Sequence, residues 1–173
     1  MIYRIRTTAA IDDKHVFRDI EIQDENTLED LHNVIQQSFG MSGNELASFY
    51  TTDEEFNLID EIPLFAMNEG LSTRTMDKTL IKDVLNQSNP KLIYIYDYLN
   101  MWQFLIELIE SVAETPGISY PRLVFSYGQL PESPPEPRFI VENLGETPNS
   151  LDIDWDENDP FGNFYDHNED EWL

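Results

Sequence analysis

One segment of this chain leaves little choice of conformation. Residues 26–40 read "NTLEDLHNVIQQSFG" and carry the signals of a single amphipathic helix. Asn26 or Thr27 offers a side-chain oxygen to the free N–H groups of a first turn, and Glu29 and Asp30 sit where the helix dipole favours negative charge. Leu28, Leu31, Ile35 and Phe39 recur at helical spacing, and Gly40 stands where a left-handed stop is expected. His32 is expected on the solvent side of this helix.

Strand signals precede it. Residues 2–7, "IYRIRT", alternate, with Tyr3, Ile5 and Thr7 on one face and Arg4 and Arg6 on the other. Residues 16–22, "VFRDIEI", repeat the pattern with Val16, Ile20 and Ile22. The polar link "IDDK" suits a hairpin between them. Further on, "ASFYT" and "EIPLFAM" are short strands and "NEGLSTRTMD" is a loop. "KTLIKDVLNQ" predicts a second, shorter helix capped by Thr79, with Leu80, Val84 and Leu85 buried. The pair Asn89-Pro90 ends it, because a residue before proline is pushed out of helical space. "KLIYIYD" reads as a strand rich in β-branched and aromatic residues.

Residues 94–108, "YIYDYLNMWQFLIEL", are the most apolar and aromatic stretch of an otherwise acidic chain. Its second half fits two patterns. As a strand, Trp102, Phe104, Ile106 and Leu108 share a face; as a helix, Trp102, Leu105 and Ile109 do. The preceding strand and the short polar break at Asn100 favour a hairpin, and the strand is adopted. "YPRLVFSYG" predicts one more strand.

Composition changes near Pro131. The chain has 10 basic and 34 acidic residues, a net charge of -24. From Pro131 to Leu173 there are 13 acids and 1 base; the first 130 residues hold 21 and 9. Each part therefore carries -12, and the charge density of the last part is about threefold higher. "PESPPEP" is proline-rich and extended. The remainder is an acidic, aromatic-dotted sequence that cannot bury enough surface to order itself. A domain over residues 1–130 and a largely disordered acidic tail over 131–173 are expected.

The charge also restricts function. It repels phosphate backbones, so direct nucleic-acid binding is not expected, whereas a basic protein partner is readily accommodated. The absence of cysteine removes disulfides, thiolate nucleophiles and cysteine-metal sites. No secretory-type apolar segment opens the chain, and no apolar run reaches the length of a membrane span. A cytoplasmic protein without a membrane partner is expected.

Strand, turn, strand and then "TLEDLHNVIQQSFG" resembles the opening of a β-grasp, ubiquitin-like layout. The expectation is an α+β fold, with a mixed sheet packed on a helix. The 94–108 stretch resembles the signature of the pRiA-type plasmid ORF-like family, some members of which are labelled TnpR passenger proteins. There the stretch usually runs Tyr-Asp-Phe-Gly-Asp, one residue, Trp, one residue, His, then Ile and Leu at alternate places. This chain keeps Tyr96, Asp97, Trp102, Ile106 and Leu108. "TLEDLHNVIQQSFG" and "YPRL" are similar to further family blocks, and the resemblance covers roughly residues 1–130. It implies an association with plasmids or mobile elements. The resolvase label does not carry over: a serine resolvase needs a nucleophilic serine among arginines and a basic helix-turn-helix, and neither is present. The chain departs from the pattern at Tyr98, Leu99, Asn100 and Phe104, which stand at the usual phenylalanine, glycine, aspartate and histidine. The cysteines that often follow the "YPR" block are missing. Metal or acid–base work by that aspartate and histidine is therefore closed to this chain.

Each candidate site has a plain structural counterpart. Asp97 and Asn100 make a polar hairpin tip, or simply serve the turn. Tyr96, Trp102 and Phe104 line a groove, or simply fill the core. His15, His32 and His167 are scattered and without metal-ligand spacing. Residues 152–163 begin like a calcium loop with Asp152, Asp154 and Asp156, but Glu157 replaces the glycine and Asn163 the bidentate glutamate. Trp155, Phe161, Phe164, Tyr165 and Trp172 among the tail acids form a docking element for a basic, hydrophobic groove, or a solubilising tail. No catalytic residue, cofactor or metal is assigned. The reading adopted is a non-catalytic protein-interaction module. The alternatives are an enzyme or small-ligand site on the 94–108 hairpin and an acidic DNA mimic.

Overall fold

A computed structural model describes residues 1–11, 15–66 and 74–133. Seven strands form one sheet: β1 (Ile2–Ala9), β2 (Phe17–Gln23), β3 (Ala47–Thr52), β4 (Leu58–Pro63), β5 (Lys91–Tyr96), β6 (Trp102–Val112) and β7 (Arg122–Tyr127). Their order is β4-β3-β5-β6-β1-β2-β7. Helix α1 (Leu28–Phe39) covers one face, and a single turn of helix, α2 (Ile81–Val84), lies near its start. The α+β class stands. The sheet is not mixed, however: all six strand pairings are antiparallel. The reason lies in the 97–101 turn, which doubles β5 back into β6, so the strand that reaches β1 runs against it rather than with it.

Helix α1 forms where its signals place it. Thr27 caps it, accepting from the Asp30 amide at 3.2 Å, while the Asp30 carboxylate accepts from the Thr27 amide at 3.0 Å. Gly40 closes it at φ 69°, a left-handed conformation that costs a residue with a Cβ roughly 1–2 kcal/mol. Leu28, Leu31 and Ile35 are fully buried against Ile5, Ile20 and Ile22 of the sheet. Thr27→Ala is expected to cost about 1 kcal/mol, measured as a shift of the urea midpoint at unchanged slope.

The second helix departs from expectation. Residues 78–87 do not form one helix: a 3-10 turn at Met76–Lys78 is followed by α2, with Thr79 and Leu80 extended between them. Backbone pairing with the start of α1 competes and wins there. The Thr79 carbonyl accepts from the Leu28 amide at 2.9 Å, and Leu80 bridges Thr27. Thr79 caps nothing; its hydroxyl donates to the Thr75 carbonyl at 2.8 Å. Val84 and Leu85 are buried as expected, while Leu80 is half-buried. The predicted strand at 61–67 is displaced to β4 and ends at Pro63, which has no N–H to extend the ladder.

The 94–108 stretch is a hairpin whose greater part is core. Tyr94, Phe104 and Ile106 are fully buried under α1. Their rings form a chain: Phe49 to Tyr94 at 4.8 Å, Tyr94 to Phe104 at 5.7 Å, Phe104 to Phe39 at 4.9 Å. Trp102 and Leu108, at the ends of the same strand face, are half-buried against this core.

His32 is not on the solvent side. It is 2% exposed, wedged between α1 and the sheet. Its Nδ1 lies 2.7 Å from the Tyr94 hydroxyl, and its Nε2 lies 2.7 Å from the Gln36 amide nitrogen. The Gln36 amide donates, so Nε2 accepts and Nδ1–H donates to Tyr94. A neutral imidazole satisfies that arrangement, and burial pushes the His32 pKa down to about 4.

Of the tail, only residues 131–133 fall within the described part of the chain. The tail expectation and the 152–163 loop otherwise lie outside it.

Candidate functional site

Two places on the described surface combine exposure with specific chemistry. The first is the hairpin tip after β5. Asp97 (φ 58°) and Met101 (φ 55°) both take left-handed backbone and bracket the turn. Because those two positions carry the positive φ, Leu99 needs no glycine; it projects 92% exposed at the tip. Asp97 Oδ1 accepts from the Leu99 amide at 3.1 Å, and Oδ2 accepts from the Asn100 side chain at 2.6 Å. The Met101 amide donates to the Asp97 carbonyl at 2.6 Å. Asp97 and Asn100 thus do the work of the turn itself.

Beside this tip lies a shallow depression of about 300 Å³. Trp102 supplies half-exposed aromatic surface over the buried rings of Phe39 and Tyr96, Asp97 and Glu45 supply carboxylates, and Leu130 with Pro131 adds an apolar wall. The C-terminal end of α1, at Gly40 and Met41, opens into it. The Tyr96 hydroxyl is anchored, accepting from the Gly43 amide at 3.0 Å and lying 3.0 Å from the Ser42 hydroxyl. Asp97, Tyr96 and Trp102 therefore meet at one site, whereas Phe104 is buried behind them and Asn100 serves the turn.

On the far side of α1's C-terminus sits Arg18, which sequence inspection did not single out. It is 5% exposed. Its guanidinium donates to the carbonyls of Ser38 at 2.8 Å, Phe17 at 2.8 Å and Tyr127 at 3.0 Å, and stacks 4.6 Å from the Phe39 ring centroid. The helix has no basic residue in its own last turn, so Arg18 supplies the cation that the helix end favours.

The second place is the sheet edge at β7. All six of its residues are exposed. Leu123, Val124, Phe125 and Tyr127 are each between 42% and 54% exposed. Phe17 of β2 stacks on Tyr127 at 5.6 Å and on Phe125 at 5.8 Å, with the Arg6 guanidinium over its ring at 4.3 Å. β7 is held to the sheet by a charged relay on the face turned from α1. Glu21, nearly buried, accepts from Arg122 and from Arg4, both at 2.9 Å, and Arg4 also pairs with Glu110. The Arg122 and Arg4 guanidinium groups hold the Glu21 carboxyl below the usual carboxylate range. Beside it Arg6 grips Asp19 through two bonds of 2.8 and 2.9 Å.

The two edges differ. β4 carries Asp60, Glu61 and Pro63, the devices that keep an edge from pairing. β7, "RLVFSY", has one charge and no proline, although a bulge interrupts its pairing with β2. Sequence reading found the strand. It could not find its exposure, because which strand ends a sheet is decided by distant pairings.

A further open cleft of about 490 Å³ lies between the β3–β4 turn and the start of β5. Its carboxylate at Asp53 is occupied by its own turn, accepting from the Glu55 amide at 2.8 Å and the Asn57 amide at 2.9 Å. Among the described residues no group of three histidine, aspartate or glutamate side chains is placed to hold a metal. No described helix is long and apolar enough to cross a membrane. Trp155, Phe161, Phe164, Tyr165 and Trp172 lie outside the described residues.

No curated protein matched the chain. Among solved structures, a protein of unknown function, MM3350 from Methanosarcina mazei Go1, is similar at 21% identity and a TM-score of 0.65, over 72% of this chain and 68% of that one. That likeness concerns the fold. The family model described as plasmid pRiA4b ORF-3-like protein matches residues 1–136, which takes in the sheet, helix α1, the hairpin tip and both walls of the depression. The chain belongs to the plasmid pRiA4b ORF-3-like protein family.

Proposed function

We propose that this protein is a non-catalytic protein-interaction module of a plasmid- or mobile-element-associated family, acting in the cytoplasm on a basic protein partner. The observation that carries the reading is β7. Among the described residues it is an open edge with exposed apolar side chains and an adjoining aromatic pair, which suits strand addition by an extended partner segment. Main-chain hydrogen bonds then supply affinity, and contacts with Phe125 and Tyr127, which share one face of the strand, supply selectivity. A net charge of -24 favours a segment with basic residues and opposes a second copy of the chain. In this reading the β1–β2 hairpin and α1 form a β-grasp-like unit that the other strands extend, and the acidic residues 131–173 add long-range attraction for the same partner.

Affinity capture from native lysate tests it, using the full chain beside the Phe125→Lys/Tyr127→Lys variant. Both side chains are half-exposed and lean on Phe17, so a modest fall in melting point is expected, and a retained cooperative melt shows that the variant is folded. The expected result is a basic protein retained by wild type, released by salt and lost with the variant. Capture unaffected by the substitutions would overturn the edge reading. Duplex DNA should give no mobility shift at physiological salt, since like charges repel; a shift at micromolar protein would contradict the partner class.

A further inference from the structure

The depression beside the hairpin tip has a chemistry that the β7 reading does not use. Its lining residues comprise three aromatics, two carboxylates and no base. The negative end of α1 opens into it, and that helix has no cation of its own in its last turn. The same helix end already shows what it accepts. From its buried side, Arg18 lays a guanidinium against Phe39 and donates to the Ser38 carbonyl. On its open side no basic residue takes the corresponding place among the lining residues, while Trp102 offers half-exposed ring surface above the buried Tyr96 and Glu45 a half-exposed carboxylate.

We propose that this depression is a binding site for an arginine side chain of a partner protein. A guanidinium fits the lining in three ways. It is planar and stacks on aromatic faces, it is weakly hydrated and so tolerates partial burial, and its fork of donors suits the carboxylates while its charge complements the helix end. The local balance of Asp97 and Glu45 against Arg18 leaves one net negative charge for the incoming cation. Asp97 contributes through its charge and remaining lone pairs, because the turn already occupies part of both of its oxygens. Trp102 is half-buried and Tyr96 is fixed through Ser42 and Gly43, so the aromatic walls are formed in advance.

Titration of the full chain by two-dimensional proton–nitrogen NMR tests the proposal, with N-acetyl-arginine amide, its lysine counterpart and the uncharged isostere N-acetyl-citrulline amide as probes. The expected result is saturable shifts confined to the Trp102 indole and the amides of Gly40 to Glu45 and Asp97. Citrulline should bind at least ~10-fold more weakly, as loss of a cation–aromatic contact and a charge-assisted hydrogen bond implies. The Glu45→Gln variant should weaken arginine binding severalfold, whereas Glu114→Gln, an exposed acid outside the lining, should not. Lysine binding as tight as arginine, equal binding of citrulline, or shifts spread over the acidic surface and indifferent to Glu45→Gln would each overturn the assignment. The Phe125→Lys/Tyr127→Lys variant should retain the site, so failure here and failure of the edge reading are separable.

Discussion

Phe104→Ala is expected to lower stability by about 3–5 kcal/mol, the range for emptying a fully buried aromatic position. Phe104 has no exposed surface and lies between Phe39 of the helix and Tyr94 of the neighbouring strand. It therefore joins α1 to the centre of the sheet, and the cavity it leaves has a wall on each element. For a domain of this size the loss corresponds to a fall in melting temperature on the order of 10–20 °C. Trp102→Ala supplies the contrast. Trp102 shares the strand face but is half-buried, so about 1–2 kcal/mol is expected. Denaturant melts of the two variants should separate clearly. Equal losses would mean that Trp102 is core and that the depression has no aromatic wall to offer a ligand.

Stability should also fall between pH 6.5 and pH 4, and His32 sets that window. In the fold its pKa is about 4, against 6.5 for an ordinary histidine, because burial disfavours the charged ring. Above pH 6.5 neither state binds the proton. Between the two values only the unfolded chain does, so acid draws the equilibrium toward unfolding, by roughly 3 kcal/mol when pH 4 is reached. Carboxylates held low in the fold, Glu21 among them, add their own losses further down, below the ordinary carboxylate range. Urea melts from pH 7.5 to 4.5 isolate the histidine. In His32→Gln the slope across this window should flatten even if the plateau is lower. An unchanged slope would mean that His32 is not the group responsible.

Helix α1 was legible because each of its determinants is local: Thr27, Asp30 and Gly40 act within one turn of where they sit. The strand character of 94–96 and 102–108 was legible for the same reason, through alternation and the turn chemistry of Asp97. His32 was misplaced because Leu28, Leu31, Ile35 and Phe39 by themselves mark a narrower stripe than the helix buries. His32 and Gln36 are one position on from Leu31 and Ile35, so they widen the same stripe, and their i, i+4 spacing was the available sign of a buried polar pair. The antiparallel sheet was not legible. It depends on β6 meeting β1 across about a hundred residues, and no local pattern records that pairing. The same limit hid the depression, which draws on α1, the 42–45 loop, the hairpin tip and Leu130. It also hid Arg18: in sequence it is one charge in a strand, and only the fold carries it under the end of α1.

The claim that β7 is the docking edge is tested most directly by amide hydrogen exchange on the full chain, alone and with the captured partner. In the free protein the outward-facing amides of Arg122–Tyr127 should exchange rapidly, since among the described residues they face no neighbouring strand. With the partner bound, slowed exchange is expected along 122–127, together with alternate amides of a short partner segment. Protection confined to the 40–45 and 96–102 segments, with 122–127 unchanged, would contradict the account and place the interface at the depression instead.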